Sequence, residues 1–368
     1  MMVSHYRLYR SGVLYETHQR ELDLTSFAKG SQDRWGGFVT INQIKFFTLG
    51  KIGSFLYTIP MSGCTPLRKP EWIRVKVPSG ETWQHVTAIL ERRSLHTVCD
   101  EARCPNKGEC WGAGTATFMI LGDTCTRNCR FCAVATAKSG KPVLPEEAEQ
   151  LALAVQELAL KYAVLTSVDR DDLADRGAHH FAYCVRAIKE KNPSVRVEVL
   201  LPDYREGEIE PVLEARPDVV AHNIETVRSL QSVRDRRASY EKSLHTLYLA
   251  KQGGIPVTKS SMLLGLGEQV DEVLSAMDDL RSVGVDVLVL GQYLQPSPQQ
   301  LPVVEYIHPD RFREYARVGR QKGFSTVVAS PFARTSYHAQ EAWDEHAAND
   351  QASNRRTAND RPAEEEHR

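Results

Sequence analysis

Seven short, nearly unbroken apolar runs punctuate the chain between residues 116 and 330, and they constrain its fold more than any other feature. They are ATFMILG (116–122), YAVLTSV (162–168), VRVEVLL (195–201), DVVAHNI (218–224), PVTKSSMLL (256–264), VDVLVLG (285–291) and, as a possible seventh, FSTVVAS (324–330). Runs without polar alternation mark strands buried on both faces, as in parallel sheets covered by helices. The intervals supply such helices: PEEAEQLALAVQELALKY (145–162) and DEVLSAMDDLRSVG (271–284) place apolar residues at helical spacing. Proline or an acid opens several of these stretches and glycine closes the last. Six β–α units in succession predict an α/β fold, a partial (βα)6 barrel of the TIM type, with a doubly wound sheet as the alternative. The polar residues favour the barrel. Thr166, Ser167, Asp169, Asn223, Glu225, Gly265, Glu268, Gln292 and Tyr293 fall at or just beyond the C-terminal ends of the strands, the rim where barrel enzymes build their sites.

Six of the eight cysteines crowd into two triplets. Cys99, Cys104 and Cys110 are spaced C-x4-C-x5-C; Cys125, Cys129 and Cys132 are spaced C-x3-C-x2-C and directly follow the first strand. Three thiolates on a short segment can hold three irons of a cubic iron–sulfur cluster, leaving the fourth to another ligand. Two such triplets imply two clusters, each with one iron available for chemistry. A disulfide framework is the poorer reading, because 368 residues can bury a core without staples and nothing at the start reads as a secretory signal. Structural zinc prefers four ligands in paired knuckles, and only Cys129 and Cys132 form a C-x2-C. Cys184, in the apolar helical pattern FAYCVRAI, reads as a small core residue.

The 46 basic and 47 acidic residues nearly cancel, so no basic stripe argues for nucleic acid. No apolar run is long enough to span a membrane. Residues 1–60 show no steady periodicity and carry Glu16, Glu21 and Asp23, which argues against an acid-poor transit peptide. They are expected to be an extension upstream of a true start at Met61, or else a mobile arm. Residues 61–114 form an N-terminal extension bearing the first triplet, 115–340 the barrel, and 341–368 a polar tail expected to be disordered.

A C-x3-C-x2-C triplet after the first strand of a six-unit part-barrel resembles the radical S-adenosylmethionine enzymes. The blocks GTATFMILGDTCTRNCRFC, LTSVDRDDL, SSMLLGLGE, GQYLQPS and RTSYHA (334–339), with the C-x4-C-x5-C triplet, narrow the resemblance to the lipoyl synthase family from about Trp72 to Ala339. The resemblance implies S-adenosylmethionine and two 4Fe–4S clusters as cofactors. Cys125, Cys129 and Cys132 would hold the cluster that cleaves S-adenosylmethionine, and Phe131 would border the adenine. Cys99, Cys104 and Cys110 would hold an auxiliary cluster whose fourth iron is bound by Ser336. That cluster would give up sulfide to the sixth and eighth carbons of a protein-bound octanoyl chain. Thr335 stands where the family has serine, and Ser261 where it usually has glycine. The implied partners are octanoylated carrier domains (the E2 component of 2-oxoacid dehydrogenases, the H protein of glycine cleavage), a low-potential donor such as flavodoxin or ferredoxin, and an iron–sulfur carrier protein, all in the cytoplasm. Another sulfur-inserting radical enzyme and a non-catalytic metal-stabilised module are the alternatives.

Individual residues have blander readings. Asp169, Arg170, Asp171 and Asp172 read as a helix N-cap with surface ion pairs. Thr166 and Ser167 are better placed for the amino-acid portion of the cofactor. Asn223 and Glu225 fit ribose hydroxyls or a buried pair bracing the barrel, and Gly265 and Gln292 complete the expected cofactor contacts. His179, His180, His222 and His338 show no shared ligand spacing and read as structural. GAGTAT and GLGE do not complete a dinucleotide glycine motif.

Overall fold

The computed structural model describes residues 67–75 and 79–359, with side chains through residue 350. The extension at 1–60, the proposed start at Met61 and residues 360–368 lie outside the described residues. The first elements are α1 (Glu81–Arg92), β1 (His96–Thr97), α2 (Val98–Glu101) and α3 (Lys107–Gly112). Then come β2 (Thr117–Ile120), the paired short strands β3 (Thr124–Cys125) and β4 (Ala135–Thr136), α4 (Glu147–Glu157), β5 (Tyr162–Ser167), α5 (Ala178–Lys191), β6 (Arg196–Leu200), α6 (Glu210–Glu214) and β7 (Val219–Ala221). The chain continues through α7 (Tyr240–Gln252), β8 (Val257–Leu264), α8 (Val270–Ser282), β9 (Val287–Gln292), α9 (Pro309–Gln321), β10 (Thr326–Ser330) and α10 (Ala339–Asn359). All seven apolar runs are strands.

The large sheet runs β1-β2-β5-β6-β7-β8-β9-β10, so from β2 onward spatial order follows chain order without reversal. A doubly wound sheet would reverse at a switch point; this one does not. All pairs from β2 to β10 are parallel, and only β1 is antiparallel, against the free edge of β2. The result is an open, partial (βα) barrel with a seventh strand. Outward-facing Phe118, Leu165, Val197 and Val199 pack under Leu151, Val155, Phe181 and Ile188 of α4 and α5. Full burial of each such side chain stabilises by about 1.5–3 kcal/mol.

Inside the arc, the lower layer holds Tyr162, Val164, Val219, Val257 and Val287, and α10 covers it with Ala339, Ala342 and Trp343. The tail from 341 is therefore helical through Asn359, contrary to the disorder expected of so polar a stretch. Two anchors explain the difference. The Arg196 guanidinium lies 5.4 Å from the Trp343 ring centre, and Ser325 meets His346 Nδ1 at 2.6 Å and accepts from Asn349 through its carbonyl at 2.8 Å. Between this plug and the rim lies a buried pair, Lys259 Nζ to Glu198 at 3.0 Å, with Tyr162 Oη donating to the same carboxylate at 2.6 Å. Among the described residues no helix is long and apolar enough to cross a membrane.

Candidate functional site

The loop that carries Cys125, Cys129 and Cys132 leaves β2 at the C-terminal rim and is pinned mainly by one side chain between the first two cysteines. Arg127 is buried. It donates to both oxygens of Asp171 at 2.9 Å, lies 3.3 Å from Asp169 and is hydrogen-bonded to Asp203. Two aligned N–H donors on a carboxylate fix orientation as well as charge. Thr126 reinforces the pin, its N–H and hydroxyl each donating to the Asp169 carbonyl at 2.9 Å. From the other side Asp235 accepts from Asn128 N–H at 2.9 Å and donates its own N–H to Cys129 Sγ at 3.3 Å. Gln300 donates to the Cys132 carbonyl at 3.1 Å.

Asp169–Asp172 therefore do not cap a helix. Arg170 is buried, clamps Asp172 at 2.9 Å and donates to the Leu121 carbonyl at 3.0 Å, while Asp169 and Asp171 serve the cysteine loop. The second triplet lines a cavity of about 240 Å³ together with Phe131, Thr166, Ser167, Asp169, Asn223, Glu225 and Arg234. Five of the seven cofactor contacts expected from sequence thus converge here. Glu225 sits at φ 65°, a left-handed conformation that costs free energy in a non-glycine residue. It is held there by hydrogen bonds from its N–H to the Ser261 carbonyl at 3.2 Å and from Leu263 N–H to its own carbonyl at 2.8 Å. Burial raises the Glu225 carboxyl, against the pull of Arg234. Asp169 is pushed up to about 6, by burial first, with Arg127 opposing. His222 is structural: it bonds the Leu201 carbonyl and Ser243, each at 2.8 Å, and burial lowers it to about 4, so it is neutral.

Gly265 and Gln292 are not at the cavity wall. Gln292 is fully buried, donates to the carbonyls of Leu264, Tyr293 and Glu305 at 3.1, 3.0 and 2.9 Å, and accepts from Ile307 N–H at 2.7 Å. Backbone groups take up its side chain, and it has nothing left for a ligand. Gly265 lies against it at φ 99°, where a Cβ would strike Gln292 and the Glu305 carbonyl. Glu268 likewise caps this turn, accepting from Gly265 and Leu266 N–H at 2.6 and 3.0 Å.

The first triplet lies on and between α2 and α3. Trp83 of α1 stacks on Trp111 of α3 with ring centres 4.7 Å apart, and Lys107 Nζ sits 4.2 Å from the Trp111 ring centre. Two contacts tie this extension to the distant RTSYHA loop: Asn106 donates to the Phe332 carbonyl at 2.7 Å, and Tyr337 Oη to Glu109 at 3.1 Å. Cys104 and Ser336 line a second cavity of about 190 Å³ with Leu200, Leu263, Leu294, Pro296 and Arg334. Its wall shares Phe131, Cys132, Leu200, Asn223 and Glu225 with the first cavity. Ser336 also lines a third, outer cavity together with Cys110. Arg127, Arg234 and Arg334 were not singled out by the sequence reading. Arg127 lies inside the second cysteine motif and Arg334 opens RTSYHA, but solvated arginines share that signal, and Arg234 carries none.

The residues present fit the implied groups. Within each triplet the thiols raise one another: Cys110 is pushed up to about 12, by burial, then by Cys99 and Cys104. Burial likewise lifts Cys125 and Cys129 to about 12 and Cys132 to about 11. Such thiols are protonated when bare, and binding a metal would release those protons. Among the described residues no three Cys, His, Asp or Glu side chains converge where one ion could sit; a cubane needs no such convergence, since each thiolate takes its own iron. In the wall of the first cavity Ser167 Oγ is a buried donor without a protein partner, and Trp111 Nε1 is directed at Cys99.

Sequence profiles agree with this geometry. Residues 119–280 match the radical SAM superfamily, and residues 58–104 match the N-terminal domain of lipoyl synthase of the radical SAM family. A lipoyl synthase of Marinobacter nauticus is 49% identical over 283 residues, covering 76% of this chain and 81% of that protein. One from Methanocella arvoryzae is 50% identical over 279 residues, covering 75% and 94%. A mitochondrial lipoyl synthase of Populus trichocarpa is 48% identical over 286 residues, covering 75% and 74%. With two cysteine triplets opening on adjoining cavities at the rim of a partial barrel, and relatives at this identity in a bacterium, an archaeon and a plant, the chain belongs to the lipoyl synthase family of radical S-adenosylmethionine enzymes.

Proposed function

We propose that the two adjoining cavities divide one reaction between them. As a lipoyl synthase the enzyme inserts two sulfur atoms at the sixth and eighth carbons of a protein-bound octanoyl-lysine. In our assignment Cys125, Cys129 and Cys132 hold one 4Fe–4S cluster in the first cavity, and Cys99, Cys104, Cys110 and Ser336 hold the other beside the second. When bound, S-adenosylmethionine and the first cluster supply a carbon radical able to take hydrogen from an unactivated methylene, and the second cluster supplies sulfide.

The chain's own residues do the positioning. Ser167 and Thr166 receive the amino-acid portion of S-adenosylmethionine, with Asp169 facing its ammonium and Arg234 its carboxylate. Asn223 and Glu225 take the ribose hydroxyls, and Phe131 borders the adenine. Leu200, Leu263, Leu294 and Pro296 give the second cavity an apolar lining suited to the octanoyl chain, and they keep water from a reactive site. Gly265 and Gln292 hold the strand ends behind that wall. The carriers, by this reading, are octanoylated lipoyl domains of 2-oxoacid dehydrogenase E2 and glycine-cleavage H proteins. A flavodoxin or ferredoxin supplies electrons, and an iron–sulfur carrier restores the spent cluster, in the cytoplasm.

The observation that carries this reading is the shared wall: Phe131 and Cys132 of one motif and Asn223 and Glu225 of the barrel line both cavities. Anaerobic iron and sulfide analysis of Cys99→Ala and Cys125→Ala tests the ligand assignment. Each variant is expected to lose one cluster and keep the other. Octanoylated carrier, reductant and S-adenosylmethionine should give a product in which two sulfurs replace two hydrogens by mass spectrometry. A single cluster in fully reconstituted wild-type protein would refute the assignment.

A further inference from the structure

Three charged side chains reach the wall of the second cavity: Arg103, Glu225 and Arg334. Arg103 is exposed, whereas Arg334 is partly buried and takes no part in the first cavity. Two backbone carbonyls hold the Arg334 guanidinium, that of Ala333 at 2.7 Å and that of Gln292 at 3.0 Å. Gly291 of β9 makes room for this hold. A Cβ there would stand 2.8 Å from a guanidinium nitrogen and 2.0 Å from the Ala333 carbonyl oxygen. Among the described residues no carboxylate forms an ion pair with Arg334, and most of its N–H donors stay unclaimed. The charges it meets most strongly are those of Cys104 and Glu225.

We propose that the Arg334 guanidinium is the fixed counter-charge of the auxiliary cluster, donating to sulfur at the corner held by Cys104 and raising that cluster's reduction potential. The inference rests on the reading that Cys99, Cys104, Cys110 and Ser336 hold this cluster. A cubane bound by thiolates and an alkoxide carries net negative charge. Beside a largely apolar wall such charge is costly unless an opposite charge or hydrogen bonds lie close to it. Net charge and hydrogen bonds to sulfur also set a cluster's potential. A guanidinium stays charged across the working pH range and presents its donors in a rigid fork. Clamped between the end of β9 and its own loop, it is in place beforehand and need not reorganise. A mere brace for the RTSYHA loop would need the two carbonyl bonds alone; it would need neither a place in the cavity wall nor Cys104 beside it.

Reductive titrations followed by electron paramagnetic resonance read each cluster by itself in the full-length chain, the auxiliary cluster in Cys125→Ala and the other in Cys99→Ala. Into each parent go two further changes. Arg334→Gln keeps a donor for the carbonyls and removes the charge; Arg334→Lys keeps the charge and loses the fork. At the potential where the parent's auxiliary cluster is half reduced, Arg334→Gln is expected to lower its ratio of reduced to oxidised form roughly tenfold. Arg334→Lys is expected to restore most of that ratio, and the other cluster to keep its midpoint throughout. An unmoved auxiliary midpoint in the glutamine variant would overturn the proposal, and so would equal shifts in both clusters. Loss of the auxiliary cluster from the glutamine and lysine variants alike would also overturn it, leaving Arg334 a brace for its loop. If Cys125→Ala with Arg334 intact bound no cluster at all, the ligand assignment itself would fall, and the counter-charge with it.

Discussion

Around Cys125, Cys129 and Cys132 the wall is ionic: Arg127, Arg234, Asp169 and Glu225 line or border one cavity, with Asp171 and Asp203 clamping the arginine. Around Cys99, Cys104 and Cys110 it is more aromatic, and its charged contacts, such as Lys107 with Asp100, are partly exposed. Trp83 and Trp111 pack ring on ring at a tilt, a lysine lies over them, and the Asn106 amide and the Tyr337 hydroxyl join the segment to the RTSYHA loop and its lead-in. The difference matches what each site must do. A charged, zwitterionic cofactor is best held by charges already fixed in place, so that little reorganisation is needed when it reacts. If the first triplet's cluster is consumed and rebuilt, as proposed, its ligands must be let go, and partly exposed contacts allow this at smaller cost than buried charges.

The largest expected effect breaks the ionic wall. Arg127→Ala leaves three carboxylates around a vacated, buried position, a change that costs about 3–5 kcal/mol when one partner of a buried pair is removed. Iron and sulfide analysis with electron paramagnetic resonance should show the cluster of the second triplet lost and the auxiliary cluster retained. Arg127→Lys should rescue only part, because an ammonium cannot make the paired bonds to Asp171. Equal loss of both clusters would show that Arg127 supports the barrel at large.

Acid should also separate the two walls. His222 lines the first cavity and is buried, its pKa lowered to about 4, chiefly by burial and then by Arg234. A base whose folded pKa lies below the unfolded value near 6.5 leaves the unfolded state binding more protons. Its contribution to stability is therefore complete above about pH 6.5 and is lost progressively as pH falls toward 4, on the order of 3 kcal/mol in all. Asp169, raised to about 6, contributes with the opposite sign over the same range, so the imidazole's share is read as the difference between wild type and His222→Asn in denaturant midpoint of the anaerobic protein at pH 7, 5.5 and 4.5. Wild type is expected to lose stability relative to His222→Asn as pH falls. An unchanged slope in the variant would assign acid sensitivity elsewhere.

The parts of this molecule that could be read from sequence are those whose chemistry repeats locally. Strands buried on both faces had to be continuous apolar runs, and β2, β5, β6, β7, β8, β9 and β10 lie where those runs are. The triplets were visible because their six cysteines fall at short spacings. The ionic wall was not, because its pairs join residues far apart in the chain: Arg127 reaches Asp203, and Asn128 reaches Asp235. A buried arginine looks in sequence like any surface arginine. Asp169–Asp172 looked like a cap for the same reason. Gln292 was misplaced because a polar residue at a strand end can face either a ligand or the backbone of its own turn, and the turn at Gly265 and Glu305 claimed it. The polar tail read as disordered because the partners that hold it, Arg196 and Ser325, lie on the barrel floor.

The smallest expected effect tests the wall of the first triplet. Thr335 is next to Ser336, and its hydroxyl lies 2.9 Å from Asn223 Oδ1 and 3.0 Å from Ser261 Oγ. With one proton to give, it donates to the amide oxygen and accepts from Ser261. Ser261 and Thr335, the two positions that the sequence pattern set apart, thus meet in one buried contact, which ends on a residue lining both cavities. Thr335→Val keeps the shape and removes the hydroxyl, leaving two polar groups short of a partner at a cost of about 1–3 kcal/mol. Because the bond holds the backbone that presents Ser336, the auxiliary cluster should lose iron to a chelator severalfold faster than in wild type, while the second-triplet cluster keeps its rate. Thr335→Ser should restore the wild-type ratio. If the valine variant melts earlier but the ratio of the two loss rates does not move, Thr335 is only packing, and the serine is held by Asn106 and Tyr337 alone.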